Sequence, residues 1–130
     1  MTAATPPAAR EIATLTPAQS DRLYLDWHDK VADEVCDAVA LATGYRERRA
    51  EAFAALQRDI TAIDLSHSAP TSAHYPHDSA PWRALQARHH LREAERHYAR
   101  RDPEHALRLL QGAAATARHV LTDLGWTPAP

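Results

Sequence analysis

Residues 87 to 105, ARHHLREAERHYARRDPEH, hold five arginines and four histidines. Three kinds of chemistry suit such a set. Imidazole titrates near neutral pH and serves general acid–base catalysis. Imidazoles together with carboxylates bind divalent transition metals. A row of guanidinium groups binds carboxylates or phosphates. Spacing decides which of these the stretch can support.

Metal ligation needs donors that converge. Glu93 and His97 are one helical turn apart and His90 is nearly a turn from Glu93, so these three are candidate ligands, with a further ligand to come from His28, His119 or the histidines near residue 70. His74-x-x-His77 with Asp78 is a second candidate pair. The Glu-x-x-His spacing of di-iron bundles does not occur, and there is no pair of cysteines. No cofactor is expected.

Arg88, Arg92, Arg96 and Arg100 recur every four residues and form one ridge, which a helix carrying Leu91 into the core turns outward. Like charges at this spacing repel by a few tenths of a kcal/mol per pair, so the ridge calls for an acidic partner. Asp29, Asp33 and Asp37 recur at the same spacing but lie opposite Val31 and Val35. Two ridges that both point away from one core cannot meet inside it. Pairing is therefore expected between two copies of the chain, or with another protein that presents an acidic face. Trp82, Leu85 and His89 lie on the side of the same helix away from Leu91. They are expected to anchor that interface, or else to be covered by Tyr75 and Pro76.

The elements that position these groups are helices. Alanine and leucine dominate, glycine and phenylalanine are scarce, and β-branched residues do not alternate over a useful run, so an all-α domain is expected. Residues 1–15 are Ala, Thr and Pro with little to bury and form an expected disordered arm. Thr16, Pro17 and Gln19 make a hydroxyl cap, a first-turn proline and a capping box. Leu23, Trp27, Val31, Val35, Val39 and Ala42 then define a helix over about 17–43. Gly44 is its stop, although an isolated glycine costs only about 1 kcal/mol inside a helix and could merely bend it.

Phe53, Leu56, Ile60 and Ile63 predict a second helix over about 45–65, and the three prolines between 66 and 81 predict a long loop. Ser79 caps a third helix over about 80–101 with Ala84, Ala87, Leu91, Ala94 and Tyr98 inward. Asp102-Pro103-Glu104 starts a fourth over about 103–124. Its inward line is Ala106, Leu110, Ala113, Ala117, Val120 and Leu124, with Gly125 as the stop and Trp126 packing back; residues 127–130 are a tail. The expected fold is a four-helix up-and-down bundle, 16–126, made of two helical hairpins joined by a long loop.

At 130 residues the chain suits one domain. A net charge of −2 disfavours broad nucleic-acid binding, although residues 81–130 carry eight cations against five acids and the Arg ridge could contact a specific nucleic acid. Cys36 is the only cysteine, so no internal disulfide forms, and its helical position predicts a buried thiol. The opening MTAATPPAAR lacks the apolar core of a secretory signal, and no segment reaches the roughly 20 apolar residues of a membrane span. A cytoplasmic protein is expected. Three glycines exclude phosphate-cradling loops and nucleophile elbows.

Arg-x4-His occurs twice, at Arg92 with His97 and at Arg100 with His105. On a helical hairpin over 82–126 this resembles the HEPN ribonuclease superfamily. The resemblance implies metal-free RNA cleavage by arginine and histidine meeting in a cleft, with Glu93 or Arg101 where a polar neighbour of the arginine is expected. Abundant alanine with one lysine against fourteen arginines also resembles the composition of small helical actinobacterial proteins. The leading expectation is a non-enzymatic, self-associating helical interaction module. A HEPN-like nuclease or RNA-binding bundle and a histidine-based metal-binding bundle are the alternatives.

Overall fold

The computed structural model describes residues 9–44, 50–65 and 75–126, and all regular structure among them is helical. The helices are α1 (Ala9–Ile12), α2 (Pro17–Thr43), α3 (Ala50–Leu65), α4 (Ala80–Ala99) and α5 (Pro103–Asp123). The all-α bundle is as expected, with uneven packing. α2, α4 and α5 pack on one another, α3 packs on α4, and α1 touches α5. Among the described residues α2 and α3 share little surface, and α4 lies between α3 and the α2–α5 pair.

Local chemistry sets the helix ends. The Thr16 hydroxyl accepts from the Gln19 N–H at 3.2 Å while the Gln19 side chain accepts from the Thr16 N–H at 2.9 Å, which completes the capping box of α2. Gly44 takes the left-handed conformation and ends α2 at Thr43. Ser79 caps α4, accepting from the Trp82 N–H, and Asp102 caps α5, accepting from the His105 N–H. α4 and α5 then end alike. Arg101 and Gly125 are both left-handed, and each end is closed by two backbone bonds, Arg101 N–H to Tyr98 O with Asp102 N–H to His97 O, and Gly125 N–H to Thr122 O with Trp126 N–H to Leu121 O. This is the Schellman arrangement, built once with arginine and once with glycine.

The core is one cluster. α2 contributes Tyr24, Trp27, Val31, Val35, Ala38 and Val39; α4 contributes Ala84, Ala87, Leu91 and Ala94. α5 adds Ala106, Leu107, Leu110, Ala113, Ala114, Ala117, Val120 and Leu121. The many alanines on α4 and α5 let these two helices approach closely, because the distance between helix axes follows side-chain size at the crossing. Tyr24 and Tyr98 stack with ring centres 4.1 Å apart and join α2 to α4.

Several expectations need correction. The N-terminal arm is not wholly without structure: α1 forms and Ile12 is fully buried. Residues 1–8, 45–49, 66–74 and 127–130 lie outside the described residues, as do the side chain of Phe53, the disordered-arm reading of the first eight positions and most of the loop. α4 ends at Ala99 rather than 101. Leu124 is exposed and Leu121 takes its place in the core, because the closing turn swings Leu124 off the helical face. Cys36 is exposed, beside exposed Asp37, rather than buried next to Val35.

Candidate functional site

Most of the arginine ridge is paired within the chain. Arg88 donates to Asp64 of α3 from Nε at 3.1 Å and from Nη2 at 2.9 Å, and Arg92 donates to the same carboxylate from Nε at 2.8 Å. Arg96 donates from Nη2 to the Asp64 backbone carbonyl at 2.6 Å, which caps one of the free carbonyls at the end of α3. Three of the four ridge arginines are thus committed to α3, and only Arg100, at the end of α4, is exposed. The two guanidinium groups hold the Asp64 carboxyl below the ordinary carboxylate range, against the opposing effect of its burial.

The network continues into α2. Arg92 Nη1 donates to Glu95, and Glu95 faces His28 Nε2 at 2.6 Å while Asp29 faces His28 Nδ1 at 3.0 Å. An imidazole with a carboxylate at each nitrogen satisfies both only when doubly protonated. Burial works against that charge, but Glu95 and Asp29 outweigh it, so the His28 pKa is raised. α4 thereby ties α3, through Asp64, to α2, through His28.

Trp82, Leu85 and His89 do not form the exposed patch expected of them. Leu85 is 4% exposed and His89 7%, both within the core of a single chain, and Trp82 packs partly buried against that core under the ring of His77. Tyr75, at 7%, joins the same cluster. Leu85 and His89 therefore offer little free surface to an interface, while Pro76, the other residue expected to cover this side, is exposed. His89 and His90 each keep an unpartnered, buried Nδ1. Burial lowers the pKa of both; for His89, His90 and Arg96 add to the lowering and Glu93 opposes, and for His90 Glu93 opposes.

The metal candidates His90, Glu93 and His97 do not converge. Glu93 pairs with Arg96, His90 is half-buried, and His97 turns toward Asp102. His74 lies outside the described residues, and exposed His77 pairs with Asp78 at 3.3 Å. His119 pairs with Asp123 at 3.4 Å. Neither Arg-x4-His pair closes on itself, since Arg92 is held by Asp64 and Glu95 and Arg100 points to solvent.

Instead the two histidines of those pairs meet each other. His97 Nδ1 is 3.3 Å from Asp102 Oδ2, His105 Nδ1 is 3.7 Å from the same oxygen, and the two ring centres are 3.9 Å apart. His97, Asp102 and His105 are the one trio of potential metal donors that converges among the described residues. The sequence carried the signal in Asp102-Pro103, which starts α5 directly after α4 stops and so folds positions 97 and 105 against one capping carboxylate.

A second feature is the groove between α2 and the end of α5, about 420 Å³ in volume. Its base is crossed by a two-pronged pair, Arg118 Nε and Nη2 donating to the two oxygens of Glu34. Leu121 and Trp126 supply apolar wall, and Lys30 lies over the Trp27 ring. Asp33 and Asp37, both exposed, form the rim, and neither pairs with a cation among the described residues. Sequence reasoning placed the acidic ladder on an outer face but did not find this groove, because the Glu34–Arg118 link spans 84 positions.

Among the described residues no helix is long and apolar enough to cross a membrane. Compared with protein-family models, curated proteins and solved structures, the chain has no significant match.

Proposed function

We propose that the protein is a helical interaction module whose contact surface is the α2–α5 groove, and that its partner presents a basic amphipathic helix. One observation carries this reading: three of the four ridge arginines are paired within the chain, while Asp33 and Asp37 have no cation partner among the described residues and stand beside an apolar wall. The charge requirement of the partner is therefore opposite to what the ridge alone suggests. Lysine or arginine on the incoming helix relieves the repulsion along the acidic rim, and an apolar side chain fills the space between Leu121 and Trp126. The contact rests on a few side chains, so weak, exchanging binding is expected.

The test is a fluorescence-anisotropy titration with a synthetic amphipathic helix of leucine and lysine, with a leucine and glutamate helix as control. Micromolar binding of the basic peptide only, weakened about tenfold in Asp33→Asn/Asp37→Asn, supports the module. Equal binding by the double variant, or none by the parent, removes it.

A further inference from the structure

We propose that His97, Asp102 and His105 form a binding site for a divalent transition cation of the zinc class, joining the end of α4 to the start of α5. The donor spacing is the first argument. Zinc bonds of about 2.0–2.2 Å in tetrahedral geometry place neighbouring ligand atoms about 3.3–3.6 Å apart. The two imidazole nitrogens lie 3.3 and 3.7 Å from Asp102 Oδ2, and one donor atom from each of the three residues falls within 4.8 Å of the others. At the two Asp102 edges the spacing is within tenths of an ångström of what such a cation needs.

The second argument is how the ligands are held. Asp102 uses Oδ1 to cap the His105 N–H, which leaves Oδ2 turned toward both rings. The Asp102 N–H is bound to the His97 carbonyl, so the backbone segment that carries two of the donors is fastened to the residue that carries the third. Such outer contacts orient ligands before the metal arrives. His97 is half-buried, whereas Asp102 and His105 are about half exposed, so the site is supported on one side and open on the other.

The donor set selects the cation. Two imidazoles and one carboxylate suit zinc and its neighbours, whereas calcium and magnesium take oxygen donors throughout. Three protein donors leave a coordination position vacant for water or a small anion. An open cleft of about 560 Å³ adjoins the site, bordered by His105, Arg101 and Arg108. This inference is independent of the interaction reading, because the groove lies at the other end of α5.

Isothermal titration calorimetry with zinc sulfate on the full chain tests the site. One equivalent binds with micromolar affinity, and His97→Ala, His105→Ala and Asp102→Asn each weaken it by about tenfold or more. His105 is exposed enough for its alanine variant to fold, and asparagine caps a helix about as well as aspartate, so Asp102→Asn removes the charge while keeping α5. His119→Ala leaves the affinity unchanged. No saturation at about 100 µM zinc, or a stoichiometric site that survives His97→Ala/His105→Ala, overturns the proposal.

Discussion

Arg92 of α4 donates its Nε–H to Asp64 of α3 at 2.8 Å, across 28 positions of sequence, and Arg88 shares the same carboxylate. Because α3 packs on α4 alone among the larger interfaces, this carboxylate tethers it by polar bonds among the described residues. Asp64→Ala leaves the part-buried Arg88 guanidinium without its acceptor and Arg92 with Glu95 alone. The expected loss is about 1–2 kcal/mol in urea unfolding, less than the sum of charge-assisted bonds because Asp64 is about a third exposed and screened. Amide exchange in α3 speeds up more than in α5, since local opening follows local tethering. Unchanged exchange in α3 would mean that Leu56 and Ile63 suffice to hold it.

The histidines act in opposite directions with pH. His28 has a raised folded pKa, so its contribution is fully present below the ordinary imidazole value of about 6.5 and is lost as pH rises through the folded value. His28→Gln is therefore more destabilising at about pH 5.5 than at about pH 8.5. His90 is lowered by burial, so its neutral form stabilises the fold above about 6.5 and that stability is lost as pH falls through the folded value. His90→Leu flattens the acid side of the stability profile. Urea midpoints of the three proteins at both pH values check the signs, and a His28→Gln penalty that is larger at high pH contradicts the network.

Leu85→Ala separates a core residue from an interface residue. At 4% exposure the side chain is inside one chain, and truncating it leaves a cavity. The expected cost is about 2–4 kcal/mol of folding stability. Sedimentation of the folded variant matches that of the parent at every concentration. A lowered mass with an unchanged melting temperature would restore the interface that the sequence suggested.

The legible parts of this fold are those set by near neighbours. Thr16-Pro17-Gln19, Asp102-Pro103 and the glycines at 44 and 125 act through bonds spanning three to five residues, and each starts or stops a helix where expected. What surrounds α4 was not legible. A helix in an up-and-down ring is expected to bury one stripe, and on that assumption Leu85, His89 and the arginines belong outside. α4 instead packs against α2, α5 and α3, so its second face is buried too. The acceptor for the ridge, Asp64, is a single carboxylate near the end of another helix, with no periodicity to announce it. The His97, Asp102 and His105 trio falls between readings, since His97 is matched with Arg92 or with His90 and Glu93, His105 with Arg100, and Asp102 with the helix cap.

The paired helix ends supply the last prediction. Arg101 and Gly125 occupy the same left-handed position in the same closing arrangement, at φ 62 and φ 75. An L side chain is strained there by about 1–2 kcal/mol, part of which glycine returns through its greater freedom when unfolded. Arg101→Gly therefore stabilises the chain by about 0.5–1 kcal/mol, and Gly125→Ala destabilises it by a similar amount. Nothing lies within 4 Å of a Cβ built on Gly125, so the second cost is conformational rather than steric. Asparagine, which tolerates this conformation, recovers part of it in Gly125→Asn. The Gly125 variants also bear on the groove, because the same turn directs the Trp126 N–H to Leu121 and holds both residues as its wall. Gly125→Ala weakens the basic peptide while Arg101→Gly leaves it unaffected, as anisotropy on the two folded variants can show; equal weakening by both would mean that general stability, not the wall, controls binding.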